Sequence, residues 1–259
     1  MRASARPELL TPRAGPAAHH PAQRPDRWPD VAFTLITLLL LLAWDASGAD
    51  LQVVQWFGSP AGFAWREHWL TAQVLHAGGR WLSLVVLACV ALNVVRPFPF
   101  ARALPRSVRL WWLVTSVACL LLIPSIKSLS HISCPWDLVQ FGGTAHPLSH
   151  GTWLAWVAPG DGGPGRCFPS GHASGAFSFV AGWFALRGPA ARAARGWLVA
   201  LLAVGLLFGL AQLARGAHYP SHTLWTAWIC WSVSTAAWHA AGLSKPAAAA
   251  ARFGTTPNH

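Results

Sequence analysis

Six long apolar stretches constrain the fold of this chain more than any other feature of its sequence. They cover roughly residues 31–49, 74–95, 109–128, 170–187, 196–214 and 221–242. A helix that crosses a bilayer needs about 20 mostly apolar residues, and these stretches reach or approach that length. Hydrophobic residues make up 54% of the chain and charged residues 10%, a balance far from that of soluble proteins. The sequence therefore predicts an all-α, polytopic membrane protein with a bundle of six transmembrane helices.

The basic residues lie at the ends of the apolar stretches. The formal net charge is +11, but nucleic-acid binding requires basic residues clustered on a soluble face, so the charge indicates membrane topology instead. Most of the 19 Lys and Arg residues fall on the side that carries both termini, which is therefore predicted to be cytoplasmic. The connections 50–73, 129–169 and 215–220 then face outward. The basic residues on that outward side are Arg66, Lys127, Arg166 and Arg215.

The two ends of the chain lack apolar periodicity. Residues 1–30 are rich in Pro, Ala and Arg, and the last residues combine a run of alanines with a polar end. Such a composition cannot bury enough apolar surface to fold. We therefore predict a disordered cytoplasmic tail at 1–30, a six-helix membrane domain at 31–242 and a second disordered cytoplasmic tail at 243–259.

Three outward segments place basic residues and histidines at the same membrane level. They are Lys127 with Cys134-Pro135-Trp136-Asp137, then Arg166-Cys167-Phe168-Pro169-Ser170-Gly171-His172, then Arg215-Gly216-Ala217-His218-Tyr219-Pro220-Ser221-His222. The second segment opens a predicted helix, whose first backbone N–H groups can bind an anion. There Ser170 adds a hydroxyl donor, Gly171 allows close approach of the backbone, and His172 adds a titratable proton. Taken alone, that segment also fits a capped helix with an incidental histidine.

Together the segments resemble the tripartite signature of the type 2 phosphatidic acid phosphatase superfamily, which includes bacterial acid phosphatases and vanadium haloperoxidases. The family pattern is Lys, six residues, Arg-Pro; then Pro-Ser-Gly-His; then Ser-Arg, five residues, His, three residues, Asp. The matching positions are Lys127, Pro135, the whole of Pro169-Ser170-Gly171-His172, and His218. The departures are Cys134 for the first arginine, Ala211-Gln212 for Ser-Arg, and His222 for the aspartate. The resemblance covers roughly residues 30–242.

This resemblance implies a mechanism. His218 would attack phosphorus and become a phosphohistidine, and His172 would protonate the leaving oxygen and then activate water. The oxygens of the phosphate would be held by Lys127, Ser170 and the Gly171 backbone N–H. The family implies no metal and no cofactor. It further implies a lipid phosphate substrate, a bacterial inner membrane and an active site that faces the periplasm.

The departures from the pattern suggest replacements. A phosphate site without two arginines lacks charge and bidentate contacts. Arg215 lies three residues before His218 and is placed to supply a cation, with Arg166 as a weaker candidate. His222, four residues after His218, can hydrogen-bond to it, and Asp137 can supply a carboxylate from the outer loop.

Two of the five cysteines lie on the outward side, beside the predicted site. They are Cys134, at the family's arginine position, and Cys167. In an oxidising compartment, a disulfide between them would tie the first segment to the second.

Three other interpretations of the site fit the sequence. A lipid phosphotransferase would use the same phosphohistidine, with an acceptor hydroxyl in place of water. A metal site could use His218 and His222, although no carboxylate lies between them and nearby cations would repel a metal ion. A non-catalytic lipid-binding protein of the same fold would tolerate the altered signature. The lipid substrate and the oligomeric state cannot be read from the sequence.

Overall fold

The computed structural model describes residues 27–147 and 160–243 of the chain. The predicted tails at 1–30 and 243–259 lie almost entirely outside these residues. Most of the described chain is helical, in agreement with the predicted all-α class. The three predicted site segments all fall within the described residues.

The described elements follow one another in a simple order. The first part contains α1 (Trp28–Ser47), α2 (Ala49–Val54), the antiparallel strands β1 (Gly58–Ser59) and β2 (Gly62–Phe63), a π-helix (Leu70–Ala77), α3 (Gly78–Val95), a 3-10 turn (Pro99–Ala101) and α4 (Arg106–Leu129). The second part contains two 3-10 turns (Pro135–Asp137 and Val139–Phe141), α5 (Gly171–Phe177), a 3-10 turn (Ser178–Val180), α6 (Ala181–Leu186), α7 (Ala191–Ala214) and α8 (Pro220–Ala240). The π-helix runs directly into α3, so the two form one continuous helical rod.

Four helical rods among the described residues are long and apolar enough to cross a membrane. They are Trp28–Ser47, Leu70–Val95, Arg106–Leu129 and Ala191–Ala214. The two other predicted spans are also helical, but neither reaches that standard. The predicted span 170–187 is divided into α5, a 3-10 turn and α6, while the Ser, Thr, His and Trp residues of α8 lower its mean hydropathy. The structure thus supports a membrane-embedded helical protein with four candidate spans.

Large aromatic side chains fill the centre of the helix bundle. Trp112 of α4 and Phe184 of α6 are fully buried, as is Phe179 in the turn between α5 and α6. Glycines of α7 allow neighbouring elements to come close, since a Cβ atom at Gly209 would lie 2.6 Å from Thr223 Cγ2 of α8. Small residues at such contacts are typical of helices that pack within a membrane. This packing fixes the ends of α4, α5, α7 and α8 relative to one another.

Buried carboxylates tie α1 and α2 to both ends of α8. At one end, Asp30 forms a bidentate ion pair with Arg187 (2.6 and 2.7 Å) and contacts His239 Nε2 at 3.0 Å. At the other end, Asp50 accepts hydrogen bonds from the backbone N–H (2.9 Å) and hydroxyl of Ser221. Ser221 N–H belongs to the first turn of α8, whose N–H groups have no partner within the helix. Asp50 therefore caps the helix that carries His222.

Candidate active site

The three predicted segments converge on one cavity of about 360 Å³ at the ends of α4 and α7. Its walls come from all three segments and from the rod that contains α3. The lining residues are His76, Arg80, Lys127, Cys134, Trp136, Gly171, His172, Gln212, Arg215, Ala217 and His218. Among these lining residues the charged side chains are all basic. The cavity therefore offers a favourable environment to an anion.

Lys127 enters this cavity from the last turn of α4. A Cβ atom built on Gly171 would lie 3.9 Å from Lys127 Nζ, so the ammonium group sits directly over the start of α5. That is ordinary van der Waals distance. The lysine and Gly171 both line the cavity, so Lys127 and the start of α5 form one part of its wall.

Ser170 does not take part in the cavity wall, although the family resemblance assigns it to phosphate binding. It is fully buried as the N-cap residue of α5, where its Oγ accepts a 3.4 Å hydrogen bond from Ala173 N–H. Its carbonyl accepts from the Thr226 hydroxyl at 3.0 Å, and its N–H donates to the His222 carbonyl at 3.1 Å. The structure therefore places Ser170 as a link between α5 and α8.

His172 belongs to the first turn of α5, and its ring contacts the π-helix. Its Nε2 is 2.9 Å from the carbonyl oxygen of Leu75, so this nitrogen carries the proton and donates it. The ring also stacks against His76, with 4.8 Å between ring centroids. Carbonyl groups in π-helical segments are often free to accept from other partners, and such segments are common at functional sites. In this arrangement Nδ1 is the ring nitrogen left for proton transfer.

The segment after α7 turns sharply before α8 begins. Gly216 adopts the left-handed conformation (φ 71°), which glycine tolerates best, and the Ala217 N–H returns to the Gln212 carbonyl at 2.8 Å. This turn directs Arg215 and His218 into the same cavity. The Arg215 guanidinium is held by the Arg66 carbonyl (2.8 Å to Nε) and by Gln212 Oε1 (3.4 Å to Nη1).

His218 and His222 form a buried pair behind the cavity. Their Nδ1 atoms are 3.3 Å apart, so one ring donates and the other accepts. If His218 donates its Nδ1–H to His222, the lone pair of His218 resides on Nε2, which makes Nε2 the nucleophilic atom. His222 thus stands at the family's aspartate position and contacts His218 through Nδ1.

Burial, with the charge of Lys127 as the next cause, lowers the pKa of His218 well below its usual value of 6.5. The unfolded chain therefore binds a proton at His218 below pH 6.5 that the folded chain does not bind, and folding stability decreases as the pH falls. We expect the melting temperature to fall less steeply in His218→Ala than in the wild type between about pH 7 and pH 5. Equal slopes in the two proteins would show that the His218 pKa is not depressed.

Asp137 and Arg166 are further predicted site residues that do not line the cavity. The Asp137 carboxylate accepts a hydrogen bond from the Cys134 N–H at 3.2 Å, and burial raises its pKa. This local contact closes a 3-10 turn and occupies the carboxylate that was expected to orient His218. Arg166 adopts a left-handed conformation (φ 59°) and lines a separate cavity with Gly160 and Gly165. It therefore does not replace a missing arginine in this structure.

A disulfide bond joins Cys134 to Cys167, with 5.1 Å between their Cα atoms. Cys134 lines the cavity, and Cys167 Sγ lies 3.6 Å from His218 Nδ1 and 3.0 Å from the Ala217 carbonyl. The bond thus links the loop after α4 to the segment before α5 and packs against the histidine pair. The disulfide-bonded Cys134 thus occupies the position at which the family has an arginine.

Cys167, His218 and His222 place one potential ligand atom each within 4.8 Å of one another. A metal site here would need the Cys167 thiolate, because the two histidines alone provide too few protein ligands. The disulfide removes that thiolate, and Lys127 adds a repelling charge nearby. These residues therefore fit a metal ion poorly.

Sequence reasoning missed three residues at or near the site. His76 and Arg80 line the cavity from the rod that carries α3, and Asp50 caps α8 beside the histidine pair. The signal for the first two was present, since ionisable residues within an apolar span are costly and are often functional. Asp50 follows an apolar span, but its distant partner Ser221 could not be inferred from the sequence.

The sequence model of the PAP2 superfamily matches residues 109–245, which is more than half of the chain. The chain belongs to this superfamily, and this membership supports phosphoric ester hydrolysis as its reaction. No curated protein matches the chain. No solved structure matches it either. The matched region runs from the first turn of α4 to just past the end of α8, and Asp50 of α2, His76 of the π-helix and Arg80 of α3 lie before it.

Proposed function

We propose that this chain is a membrane-embedded phosphatase that removes phosphate from a lipid at the outer membrane face through a phosphohistidine on His218. The observation that carries the proposal is the position of His218 in a cation-lined cavity, with its Nδ1 held by His222. A histidine oriented through Nδ1 presents Nε2 to phosphorus. Superfamily membership supports phosphate ester hydrolysis as the reaction.

The reaction proceeds in two displacements. The Nε2 lone pair of His218 attacks phosphorus, and the bond from phosphorus to the leaving oxygen breaks. That oxygen takes the Nδ1 proton of His172, which enters the step as the imidazolium and leaves it neutral. Water then attacks the phosphohistidine, its proton returns to His172, and the P–N bond breaks to release inorganic phosphate. Lys127, Arg215 and the Gly171 N–H stabilise the charge that develops on the phosphate oxygens.

The position of the cavity on the helices supports a lipid substrate. Lys127 lies near the end of α4 and Arg215 directly follows α7, and both helices expose leucines to the surroundings of the protein. These leucines are Leu121, Leu122, Leu129, Leu206, Leu207 and Leu210. In a membrane this surface contacts acyl chains, so the cavity opens where a lipid phosphate can reach it.

Topology supports placing this cavity at the outer face. Basic residues concentrate on the side of the termini, which the positive-inside rule assigns to the cytoplasm. The cavity lies on the opposite side, among the few outward basic residues. With six spans, both tails would be cytoplasmic, and in a bacterium the site would face the periplasm from the inner membrane.

The proposal is tested by phosphate release from a panel of lipid phosphates by purified protein in detergent with chelator present. The panel includes phosphatidic acid, phosphatidylglycerol phosphate, a lipid A phosphate and a polyprenyl diphosphate. Release of phosphate from at least one lipid without added metal is the expected result. No release from any of them by folded protein would contradict the proposal. Appearance of a new phosphorylated lipid in place of free phosphate would indicate transfer.

A further inference from the structure

His76 and Arg80 are the two cavity residues that the phosphatase mechanism does not use. Both lie before the region that matches the superfamily, on the continuous rod from Leu70 to Val95. This rod is apolar enough to span a membrane, and a charged side chain within it is unfavourable unless it faces water or a partner. Arg80 is exposed and lines the cavity, and no side-chain hydrogen bond or ion pair of Arg80 occurs within the described ranges. Its position therefore calls for a functional explanation.

The basic residues of the cavity come from different elements. Lys127 of α4 lies beside Gly171 at the start of α5. His76 Nδ1 accepts a 3.3 Å hydrogen bond from Gln212 Nε2, and Gln212 Oε1 accepts one of 3.4 Å from Arg215 Nη1. Arg80 lies on the same rod, about one helical turn after His76. The His172 ring packs against the His76 ring, with 4.8 Å between their centroids.

We infer that His76 and Arg80 form a second anion subsite, which binds a phosphate group of the substrate that is not transferred. This inference rests on the proposed function and names its substrate class: a lipid diphosphate, preferred over a lipid monophosphate. Lys127 and Gly171 hold the terminal phosphate for attack by His218. The phosphate next to the lipid then lies beside Arg80, where Arg215 also contributes charge.

The charge of the cavity agrees with this assignment. Lys127, Arg80 and Arg215 are basic, and none of the described residues that line the cavity is acidic. A diphosphate carries more negative charge than a monophosphate, and each phosphate gains from its own charge-assisted contacts. Arg80 also supplies a cation to a site in which Cys134 and Gln212 stand at the family's arginine positions.

The chemistry of the leaving group agrees as well. His172 has Nδ1 as its one ring nitrogen for proton transfer, because Nε2 donates to the Leu75 carbonyl. In a diphosphate, attack of His218 Nε2 on the terminal phosphorus breaks the P–O bond to the bridging oxygen, and the electron pair leaves with a lipid monophosphate. A phosphate group stabilises that pair far better than a lipid alkoxide, so the step depends less on a proton from His172.

The test compares farnesyl diphosphate with farnesyl monophosphate as substrates of the purified full-length protein. We expect Arg80→Gln to lower kcat/KM for the diphosphate roughly tenfold to a hundredfold, the loss typical of a contact to a charged group, and to lower the monophosphate value much less. Arg80→Lys should retain more diphosphate activity than Arg80→Gln. Arg96→Gln, at the far end of α3, is the matched control and should change neither value.

Binding of inorganic pyrophosphate and orthophosphate, measured by calorimetry, separates this inference from the proposed function. One outcome would support the subsite and contradict the phosphatase proposal. In that case the protein hydrolyses neither lipid, yet it binds pyrophosphate more tightly than orthophosphate, and Arg80→Gln loses that preference. If Arg80→Gln changes both substrates equally, or changes neither substrate nor pyrophosphate binding, the inference is overturned. The last result would make Arg80 a simple interfacial anchor.

Discussion

Substituting His218 with Ala is expected to abolish phosphate release, with a loss of about a thousandfold or more in kcat. The loss is large because His218 supplies the only bond-forming atom of the proposed first step. Its partner is expected to matter less, since His222→Ala removes the contact to Nδ1 but leaves Nε2 in the cavity. The measurement is phosphate release from the best lipid of the panel at saturating substrate.

The matched control for this substitution is His131→Ala. His131 is an exposed histidine on the same outward loop as Cys134, and it lines the separate cavity that contains Arg166. We expect this variant to retain wild-type activity. Melting curves of all three variants show whether each protein is folded. A folded His218→Ala protein with substantial activity would exclude His218 as the nucleophile.

Removal of the Cys134–Cys167 disulfide is expected to have the second largest effect. The bond closes a loop of 33 residues in sequence separation, so its loss should cost about 2–4 kcal/mol of stability. Because Cys167 packs against His218 and Cys134 lines the cavity, we also expect kcat/KM to fall roughly tenfold or more, as small displacements of catalytic groups are costly. The measurements are melting temperature and kcat/KM of the Cys134→Ser, Cys167→Ser double variant.

Reductant provides an independent form of the same test. It should lower the activity and stability of the wild type toward those of the double variant, and it should leave the double variant unchanged. Cys89→Ser is the control, because Cys89 is an exposed free cysteine on α3. If the double variant were as stable and active as the wild type, the disulfide would have no role in the site.

The sequence predicted the centre of the site because its residues lie at helix ends. Lys127, His172, Arg215 and His218 are each within a few residues of the start or end of a helix, so a common membrane level was enough to bring them together. The pairing of the two outward cysteines could be anticipated for the same reason. Apolar length likewise predicted the helical membrane class.

The sequence did not predict the positions of side chains that depend on local backbone contacts. The Asp137 carboxylate accepts a hydrogen bond from the Cys134 N–H. Arg166 has a left-handed backbone conformation and lines another cavity. Ser170 caps α5 rather than lining the cavity. Arg80 enters the cavity only because a π-helix and α3 pack beside α5 and α7, which is a tertiary arrangement without a sequence signature.

The most direct test of the central account is capture of the covalent intermediate. Purified protein is mixed with a radiolabelled lipid phosphate, quenched at early times, digested at alkaline pH and examined by mass spectrometry. We predict an acid-labile, alkali-stable phosphoryl group on the peptide that contains His218, formed with chelator present and lost in His218→Ala. Phosphate release without any phosphorylated peptide, or with phosphate on a different residue, would contradict the account.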